Sequence, residues 1–377
     1  MKGNRVKHIA FVVLMLIILL PMVQHLTQFS SGKELQGAVI NAKQPTWNWD
    51  NWLDESYQDS MENYLNDSFG FRPDFVRLHN QIKYSLYEKA NARGVIVGKG
   101  WYMYEWNYIR AHYGLDFIGD SIIDSKVAKM KFIQDTLAKL DKTFLLILAP
   151  GKGSYLPEYF PDTSVRKRGV TNYDTYVKKL GQKQVNTIDF NKWFRNMKDT
   201  TSYPLYGKGG IHWSKFGEML AADSLIASLE QLGSVELPEL ILDGLEVSSR
   251  NKDGDYDIGE GMNLIFQTPT IPMAYPQHHF EFPERNIHKG LVVADSYYWG
   301  MFNFGFSQQV LGDGQFWFYN ESVYPNSFET PIAGAEIDLT QVVTENKFVI
   351  MVSTDANLYK FGFGFVDRLY DHFTKEQ

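Results

Sequence analysis

The chain contains no cysteine among its 377 residues. Disulfide bonds, thiolate metal sites and a thiol nucleophile are therefore excluded. A long run of lysine and arginine is also missing and the net charge is a mild −7, so we expect no nucleic acid partner. Neither a phosphate-binding loop nor a G-x-G-x-x-G pattern occurs. The sequence thus predicts no nucleotide cofactor, and we expect no other cofactor.

Apolar and aromatic residues, by contrast, are plentiful. Hydrophobic residues make up 44% of the chain and aromatic residues 15%, including nine tryptophans and 22 tyrosines. A chain of this length and composition can bury a large core. The aromatic content is compatible with a carbohydrate-binding surface and equally with a core rich in phenylalanine and tyrosine.

The amino terminus has the pattern of a membrane-targeting segment. An apolar run at residues 9–23 follows three basic residues, and such a flank keeps that end in the cytoplasm while the rest crosses the membrane. We predict a signal-anchor over residues 1–29. A cleaved signal peptide stays open as an alternative, because the run is short for a span and contains Pro21. Residues 30–45 are polar and are predicted to be a linker.

The remaining chain, residues 46–377, is predicted to form one domain with two parts. Residues 46–115 combine helical spacing of apolar residues with a hairpin pattern. Residues 116–377 alternate apolar strand patterns with amphipathic helices, which predicts a three-layer α/β fold with a mostly parallel sheet. Residues 233–285 show no clear period and are predicted to be an irregular insertion or cap. The principal strands are predicted at residues 144–148, 185–188, 291–293, 316–318 and 348–352.

Polar residues follow several of these strands. In open α/β sheets, functional groups collect just beyond the carboxyl ends of the strands. We therefore predict one cleft lined by residues from these positions. The residues predicted to bind substrate there are Lys152, Ser154, Trp299, Tyr319, Asn320 and Asn357.

The first motif with chemical meaning is Asp295-Ser296, which ends the apolar run at residues 291–293. A strand that stops abruptly at a serine can present the hydroxyl on an exposed turn, with amide donors of the next helix nearby for an oxyanion. A serine hydroxyl needs a base to act as a nucleophile. The alternative is that Asp295 or Ser296 only caps the following helix.

The second motif places His212 on a glycine-rich loop just before an amphipathic helix, with Ser214 as its natural N-cap. A histidine in this place could serve as the general base for Ser296. A satisfied surface or capping histidine is the alternative. We take Ser296 and His212, with Asp295, as the candidate catalytic residues.

Together these motifs resemble a known family. The Ala294-Asp295-Ser296 block is similar to the serine block of SGNH/GDSL hydrolases, and "GIHWSKFGEMLAADSL" resembles the histidine block of the alginate O-acetyltransferase branch. Further similar stretches occur in the family's order and are "NDSFGFRPDFVRLHNQIKYSLY", "VIVGKGWYMYEWNYI" and "APGKGSYLPEYFP".

The resemblance implies an SGNH-like domain on the periplasmic side of the inner membrane, either anchored or secreted. It implies transfer of an acetyl group, received through an integral-membrane O-acyltransferase, onto hydroxyls of an exported polysaccharide. Ser296 would carry the acetyl group and His212 would act first as base and then as acid. A carbohydrate acetyl esterase, or a non-catalytic polysaccharide-binding subunit, are the alternative functions.

One position departs from the family. Its Asp-x-His pattern orients the imidazole, but this chain has Gly210 where the aspartate is expected. Three possibilities follow: a serine–histidine dyad, a degraded site, or a carboxylate from Asp253, Asp255 or Asp257. That acidic run does not match a calcium-binding EF-hand loop, and we expect no metal site in the chain.

Overall fold

The structure, a computed structural model, describes residues 2–30, 32–37, 40–284, 288–325 and 331–375. In chain order, the helices described are α1 (Lys2–Thr27), α2 (Trp49–Leu53), α3 (Ser56–Ser68), α4 (Arg72–Tyr87), α5 (Trp106–Tyr113), α6 (Asp120–Lys139), α7 (Lys152–Tyr155), α8 (Asn172–Gln182), α9 (Phe190–Met197), α10 (Lys215–Gly233), α11 (Asp257–Gly261), α12 (Tyr298–Asn303), α13 (Leu339–Glu345) and α14 (Phe365–Lys375). The strands described are β1 (Val95–Val97), β2 (Met103–Glu105), β3 (Thr143–Ala149), β4 (Thr187–Asp189), β5 (Glu239–Ser248), β6 (Met273–Glu281), β7 (Gly290–Ala294), β8 (Phe316–Phe318), β9 (Ser322–Tyr324), β10 (Ile332–Ala333) and β11 (Phe348–Thr354).

Two compact units make up the chain. The first comprises residues 1–93 and 259–267, and the second comprises residues 94–258 and 268–377. The β1–β2 hairpin belongs to the second unit.

In the first unit, α1 is long and apolar enough to cross a membrane by its length and composition, with a mean hydropathy of 2.5 in an 18-residue window within residues 5–27. Its last turns contact the corner between α3 and α4. The buried Gln24 side chain accepts a hydrogen bond from the Phe71 amide at 3.3 Å. A Cβ atom on Gly70 would collide with the Pro21 carbonyl, so only glycine permits this close approach.

The second unit contains a seven-stranded sheet in the order β10-β9-β8-β7-β11-β3-β4, among the described residues. The strands from β8 to β4 are parallel, and β9 and β10 are antiparallel to their neighbours. The predicted α/β class with a mostly parallel sheet is confirmed.

Layers of helices cover this sheet on both faces. Every residue of β3 and β11 is buried, as expected for central strands of a parallel sheet. Alternate side chains of these strands share one cluster with α6, α8 and α14. Helices α9 and α10 also contact β3 but lie outside that cluster, so they face the opposite side of the sheet.

The segment at residues 233–285 is more regular than predicted. Strands β5 and β6 pair antiparallel from Glu239↔Glu281 to Ser248↔Met273, with a register shift between Leu242 and Gly244, and form a ribbon. Most β5 residues are exposed or half-buried, so neither face has the strict apolar alternation that marks a half-buried strand. This explains why the sequence pattern did not predict it.

Candidate active site

A turn at the carboxyl end of β7 carries Asp295 and Ser296. The Asp295 side chain is fully buried. Its Oδ2 accepts hydrogen bonds from the Thr354 amide at 2.8 Å, the Thr354 hydroxyl at 2.9 Å and Asn357 Nδ2 at 2.9 Å. Its Oδ1 accepts one from the Tyr297 amide at 3.1 Å. Asp295 thus ties the serine turn to the end of the neighbouring strand β11.

The loop that carries His212 is fixed at both ends. Ser214 caps α10, because its hydroxyl accepts a hydrogen bond from the Gly217 amide at 3.1 Å and donates to the Pro204 carbonyl at 2.9 Å. The hydroxyl of the buried Tyr297 donates to the Ile211 carbonyl at 2.6 Å. These contacts present the imidazole toward the serine turn.

His212 lies between Ser296 and Asp257. Its Nε2 is 2.9 Å from Ser296 Oγ, and its Nδ1 is 2.5 Å from Asp257 Oδ2. The other Asp257 oxygen accepts hydrogen bonds from the amides of Ile211 at 2.9 Å and Ile258 at 2.7 Å. A carboxylate therefore orients the imidazole from the first turn of α11, in the connection between β5 and β6.

An aspartate at position 210, where the family pattern has one, would not fit the observed backbone. A Cβ atom there would collide with the backbone of Gly254 and Asp255. The chain segment just ahead of Asp257 therefore occupies the space that an aspartate side chain at position 210 would need. Of the three acidic residues considered from sequence, Asp257 contacts the histidine, Asp255 is buried, and the side chain of Asp253 lies outside the described residues.

Opposing effects act on the imidazole of His212. Burial lowers its pKa, but the hydrogen bond and negative charge of Asp257, helped by the charges of Glu218 and Asp295, outweigh burial. The net pKa of His212 is raised above its ordinary value, so the imidazolium form is stabilised. A general base that must take up and hold a proton benefits from that stabilisation.

Lys152 was predicted to bind substrate, and the structure corrects this. The side chain is fully buried, and its Nζ donates hydrogen bonds to the carbonyls of Lys208 at 2.8 Å and Gly210 at 2.6 Å. Burial lowers the pKa of Lys152 to about 7, against smaller opposing effects of Asp257 and Asp255. Lys152 holds the histidine loop from beneath and does not face the cleft.

Ser154 lies in a different place from Ser296. Its hydroxyl donates to the Asp355 carboxylate, and both residues line a separate small cavity of about 40 Å³. Burial raises the pKa of Asp355 to about 6. The predicted grouping of Ser154 with the cleft is therefore wrong, because α7 turns the residue away from the serine turn.

The other residues predicted to bind substrate because they follow strands also make structural contacts. Asn320 donates to the Phe363 carbonyl at 3.1 Å and accepts from Arg368 at 3.1 Å. Asn357 is buried and donates to Asp295. Tyr319 is half-buried, and its hydroxyl accepts a hydrogen bond from Asn357 Nδ2 at 3.4 Å. Asn357 thus supports the serine turn through Asp295, and none of these three side chains lines the cleft.

An open cleft of about 650 Å³ lies in front of Ser296 and His212. Trp299, as predicted, lies in its wall. The ribbon and the helices α10 and α12 complete the lining with polar and aromatic groups. Cleft residues that the sequence did not single out include Lys215, Glu218, Tyr275, His278 and Asn303. Within the described ranges, no cluster of three or more carboxylate or imidazole groups is placed to hold a metal ion.

Two residues that contact His212 or its loop were not assigned from the sequence: Tyr297 was missed, and Asp257 was left open. The Tyr297 ring lies 4.9 Å from the His212 ring, centre to centre, and its hydroxyl holds the histidine loop. Its position next to Ser296 was the only sequence signal. Asp257 had been one of three candidates, and the choice required knowing where the ribbon connection passes.

Comparison with known proteins identifies a family model that matches part of the chain. Residues 95–268 match the family model described as "SGNH hydrolase-like domain, acetyltransferase AlgX". This range contains His212 and Asp257, and Ser296 lies beyond it. A search of curated proteins found no match.

Three solved structures are similar to the chain. The O-acetyltransferase domain of Pseudomonas putida AlgJ is 15% identical with a TM-score of 0.49, covering 74% of this chain and 99% of that one. Pseudomonas aeruginosa AlgX is 16% identical with a TM-score of 0.44, covering 72% and 66%. Bacillus cereus PatB1 is 14% identical with a TM-score of 0.42, covering 64% and 93%.

The parallel sheet and the family match define an SGNH hydrolase-like α/β domain. Within that class, residues 95–268 of the chain match the alginate O-acetyltransferase-like family model. The resemblance indicated by the sequence motifs is thereby confirmed.

Proposed function

We propose that the chain is a serine O-acetyltransferase that places acetyl groups on hydroxyls of an exported polysaccharide. The observation that carries this proposal is the continuous hydrogen-bonded series Ser296–His212–Asp257 at the edge of an open cleft. An activated serine beside a cleft is the arrangement that acyl transfer requires. The Asp257 contact favours a substituted acid over a dyad or a degraded site.

The reaction proceeds in two displacements. In the first, Ser296 Oγ attacks the carbonyl carbon of an acetyl donor while His212 Nε2 takes the hydroxyl proton. The tetrahedral intermediate collapses as His212 returns that proton to the departing group, which leaves an acetyl ester on Ser296. Asp257 keeps Nδ1 protonated and stabilises the imidazolium that forms between these steps.

In the second displacement, a sugar hydroxyl attacks the acetyl ester. His212 takes the proton of that hydroxyl and then protonates Ser296 Oγ as it leaves, so the free enzyme is restored. On the serine turn, the Ser296 amide is the donor that we assign to the oxyanion, since the Tyr297 amide is already bonded to Asp295.

Membrane attachment favours transfer over hydrolysis. A transferase of this kind must stay close to its acetyl source, for which we propose an integral-membrane O-acyltransferase. Helix α1 would provide that attachment if it is retained as an anchor, with the body in the periplasm. If water replaces the sugar in the second displacement, the same residues make a carbohydrate acetyl esterase.

The test is the distribution of products from the full-length chain. We expect a chromogenic acetyl ester and an oligosaccharide acceptor to yield acetylated sugar, detected by mass spectrometry, and Ser296→Ala to yield none. Free acetate without acetylated sugar would identify an esterase. An absence of turnover, with the fold verified by circular dichroism and the membrane fraction of the producing cells added back, would favour a non-catalytic binding subunit.

Asp295 should contribute to stability rather than to proton transfer. In Asp295→Asn, the side-chain NH2 group takes the place of one carboxylate oxygen. It then faces at least one backbone N–H group that donates to that oxygen in the native protein. Leaving such buried groups unmatched costs about 3 kcal/mol. Calorimetry should show a clearly lower Tm than for Asp371→Asn, an exposed control on α14. An unchanged Tm with a displaced pH–rate profile would instead identify Asp295 as the acid that acts on His212.

A further inference from the structure

Helix α4 exposes a row of large apolar side chains. Phe75, Leu78 and Ile82 are 45%, 46% and 46% exposed, and Leu86 is 70% exposed. Their spacing of three and four residues places them on one face of the helix. We call these four residues the apolar stripe. A row of this kind is not expected on a surface that meets only water.

The opposite face of α4 is already occupied within the same unit. Asn80 is buried and its Nδ2 donates to the Met262 carbonyl at 2.8 Å. Gln81 Oε1 accepts hydrogen bonds from the amides of Ile265 and Phe266 at 3.1 and 3.0 Å. The helix is therefore held in place through its inner face, and the apolar stripe is its outer face.

The start of α4 lies beside the end of the apolar helix α1. Gly70 touches the Pro21 carbonyl, and the Phe71 amide bonds to Gln24. The Phe29 and Phe71 rings also meet, with centres 5.8 Å apart. Pro21 belongs to the apolar run, so the corner before α4 lies at the level where that run ends. If α1 spans a bilayer, α4 begins at the bilayer surface.

The charges on α4 suit that location. The helix carries three basic residues, Arg72, Arg77 and Lys83, and one acidic residue, Asp74. A positive net charge on an amphipathic helix is typical of the interface of membranes with anionic lipids, although Arg72 and Arg77 are bound within the unit by Asp67 and by the carbonyls of Lys33 and Glu34. Tyr87, at the end of α4, is 65% exposed, and aromatic residues of this type are enriched at the interface.

We propose that α4 lies in the membrane interface, with the apolar stripe in contact with phospholipid acyl chains. The inference depends on α1 and α4 and not on the catalytic residues. It gives the first unit a second membrane contact besides α1. The bilayer is the occupant that the stripe fits, because the corner just before α4 contacts the end of α1, the helix that is long and apolar enough to cross a membrane.

The chain suits a direct test because it has no native cysteine. Single cysteines in the full-length protein can carry a nitroxide label without background labelling. The protein would be reconstituted into vesicles of three parts phosphatidylethanolamine to one part phosphatidylglycerol. The stripe variants are Phe75→Cys, Leu78→Cys, Ile82→Cys and Leu86→Cys, and the controls on other faces of the same region are Lys83→Cys and Glu88→Cys.

Collision rates with oxygen, which concentrates in acyl chains, are then compared with those of a water-soluble nickel chelate. We expect the oxygen-to-nickel ratio at the stripe to exceed that at the controls several-fold, with a helical period. High nickel collision at the stripe would place it in water and overturn the proposal. Low collision with both reagents would mean coverage by protein, a second copy or another partner, and would equally overturn it. Neither result would alter the conclusions on Ser296.

Discussion

Replacing Ser296 with alanine is expected to abolish acetyl transfer almost completely, with kcat falling by about 10⁴-fold or more. Without Oγ there is no atom to accept the acetyl group, and His212 has no proton to take up. His212→Ala should cause a loss of similar size because an unassisted hydroxyl is a poor nucleophile. Residues that act as a unit do not lose activity additively, so the double variant should be no slower than either single one.

Initial rates of ester turnover by the full-length chain would measure these losses. Ser125→Ala, an exposed serine on α6, is the matched control and should retain full activity. A double variant that is slower than both single variants by the product of their effects would mean that the two side chains act independently. That result would contradict the shared mechanism.

The second large effect is expected at Asp257. Asp257→Asn removes the charge beside Nδ1 and can leave the wrong imidazole tautomer facing Ser296, a change that typically lowers kcat about 10⁴-fold. The pH dependence should change as well. In the native chain the raised pKa of His212 means that the neutral base appears only above that pKa. With asparagine, only the charges of Glu218 and Asp295 still oppose burial, so the pKa of His212 falls and the acidic limb of kcat/KM should move to lower pH.

The control is Asp243→Asn on the ribbon. Asp243 also bonds to a histidine, His279 Nδ1 at 2.8 Å, but both side chains are about half exposed and away from the cleft. This variant should leave both kcat and the pH profile unchanged. An acidic limb that does not move in Asp257→Asn would show that another group titrates there, and would remove Asp257 from the mechanism.

Gly210→Asp offers a complementary check, since it restores the aspartate of the family pattern. In the Asp257→Asn background it should not recover activity, because its Cβ atom would collide with the backbone at Gly254 and Asp255. Recovery would mean that this backbone yields easily and that the family arrangement remains accessible. The occupied space around Gly210 is thus the physical reason to expect the relocated acid.

The sequence predicted the sheet better than the site. Runs such as residues 144–148 and 348–352 are buried on both faces, and continuous apolar sequence is the direct signature of that environment. The β5–β6 ribbon escaped prediction because its strands are largely exposed. Ser296 and His212 were singled out because each lies in a motif with a recognisable local form, and the structure places their side chains 2.9 Å apart.

The other predicted site residues show the limit of strand-end reasoning. Position after a strand indicates which edge of the sheet a residue occupies, but not whether its side chain turns toward the cleft or the interior. Lys152 follows β3 as predicted, yet its amine reaches backbone carbonyls beneath the histidine loop. Asn357 and Asn320 likewise satisfy buried or neighbouring polar groups, a role that no local pattern separates from substrate binding.

The distance along the chain between His212 and Asp257 has a consequence for how the protein folds. The two residues are 45 positions apart, whereas the family's Asp-x-His pattern places both on one turn. Closing the longer loop costs about 3 kcal/mol more in chain entropy, and it depends on the ribbon pairing in register. A molecule whose sheet has formed but whose ribbon is still unpaired would have a serine and a histidine without their acid. If the three residues act together as we propose, the recovery of activity during refolding is expected to follow ribbon formation rather than sheet formation.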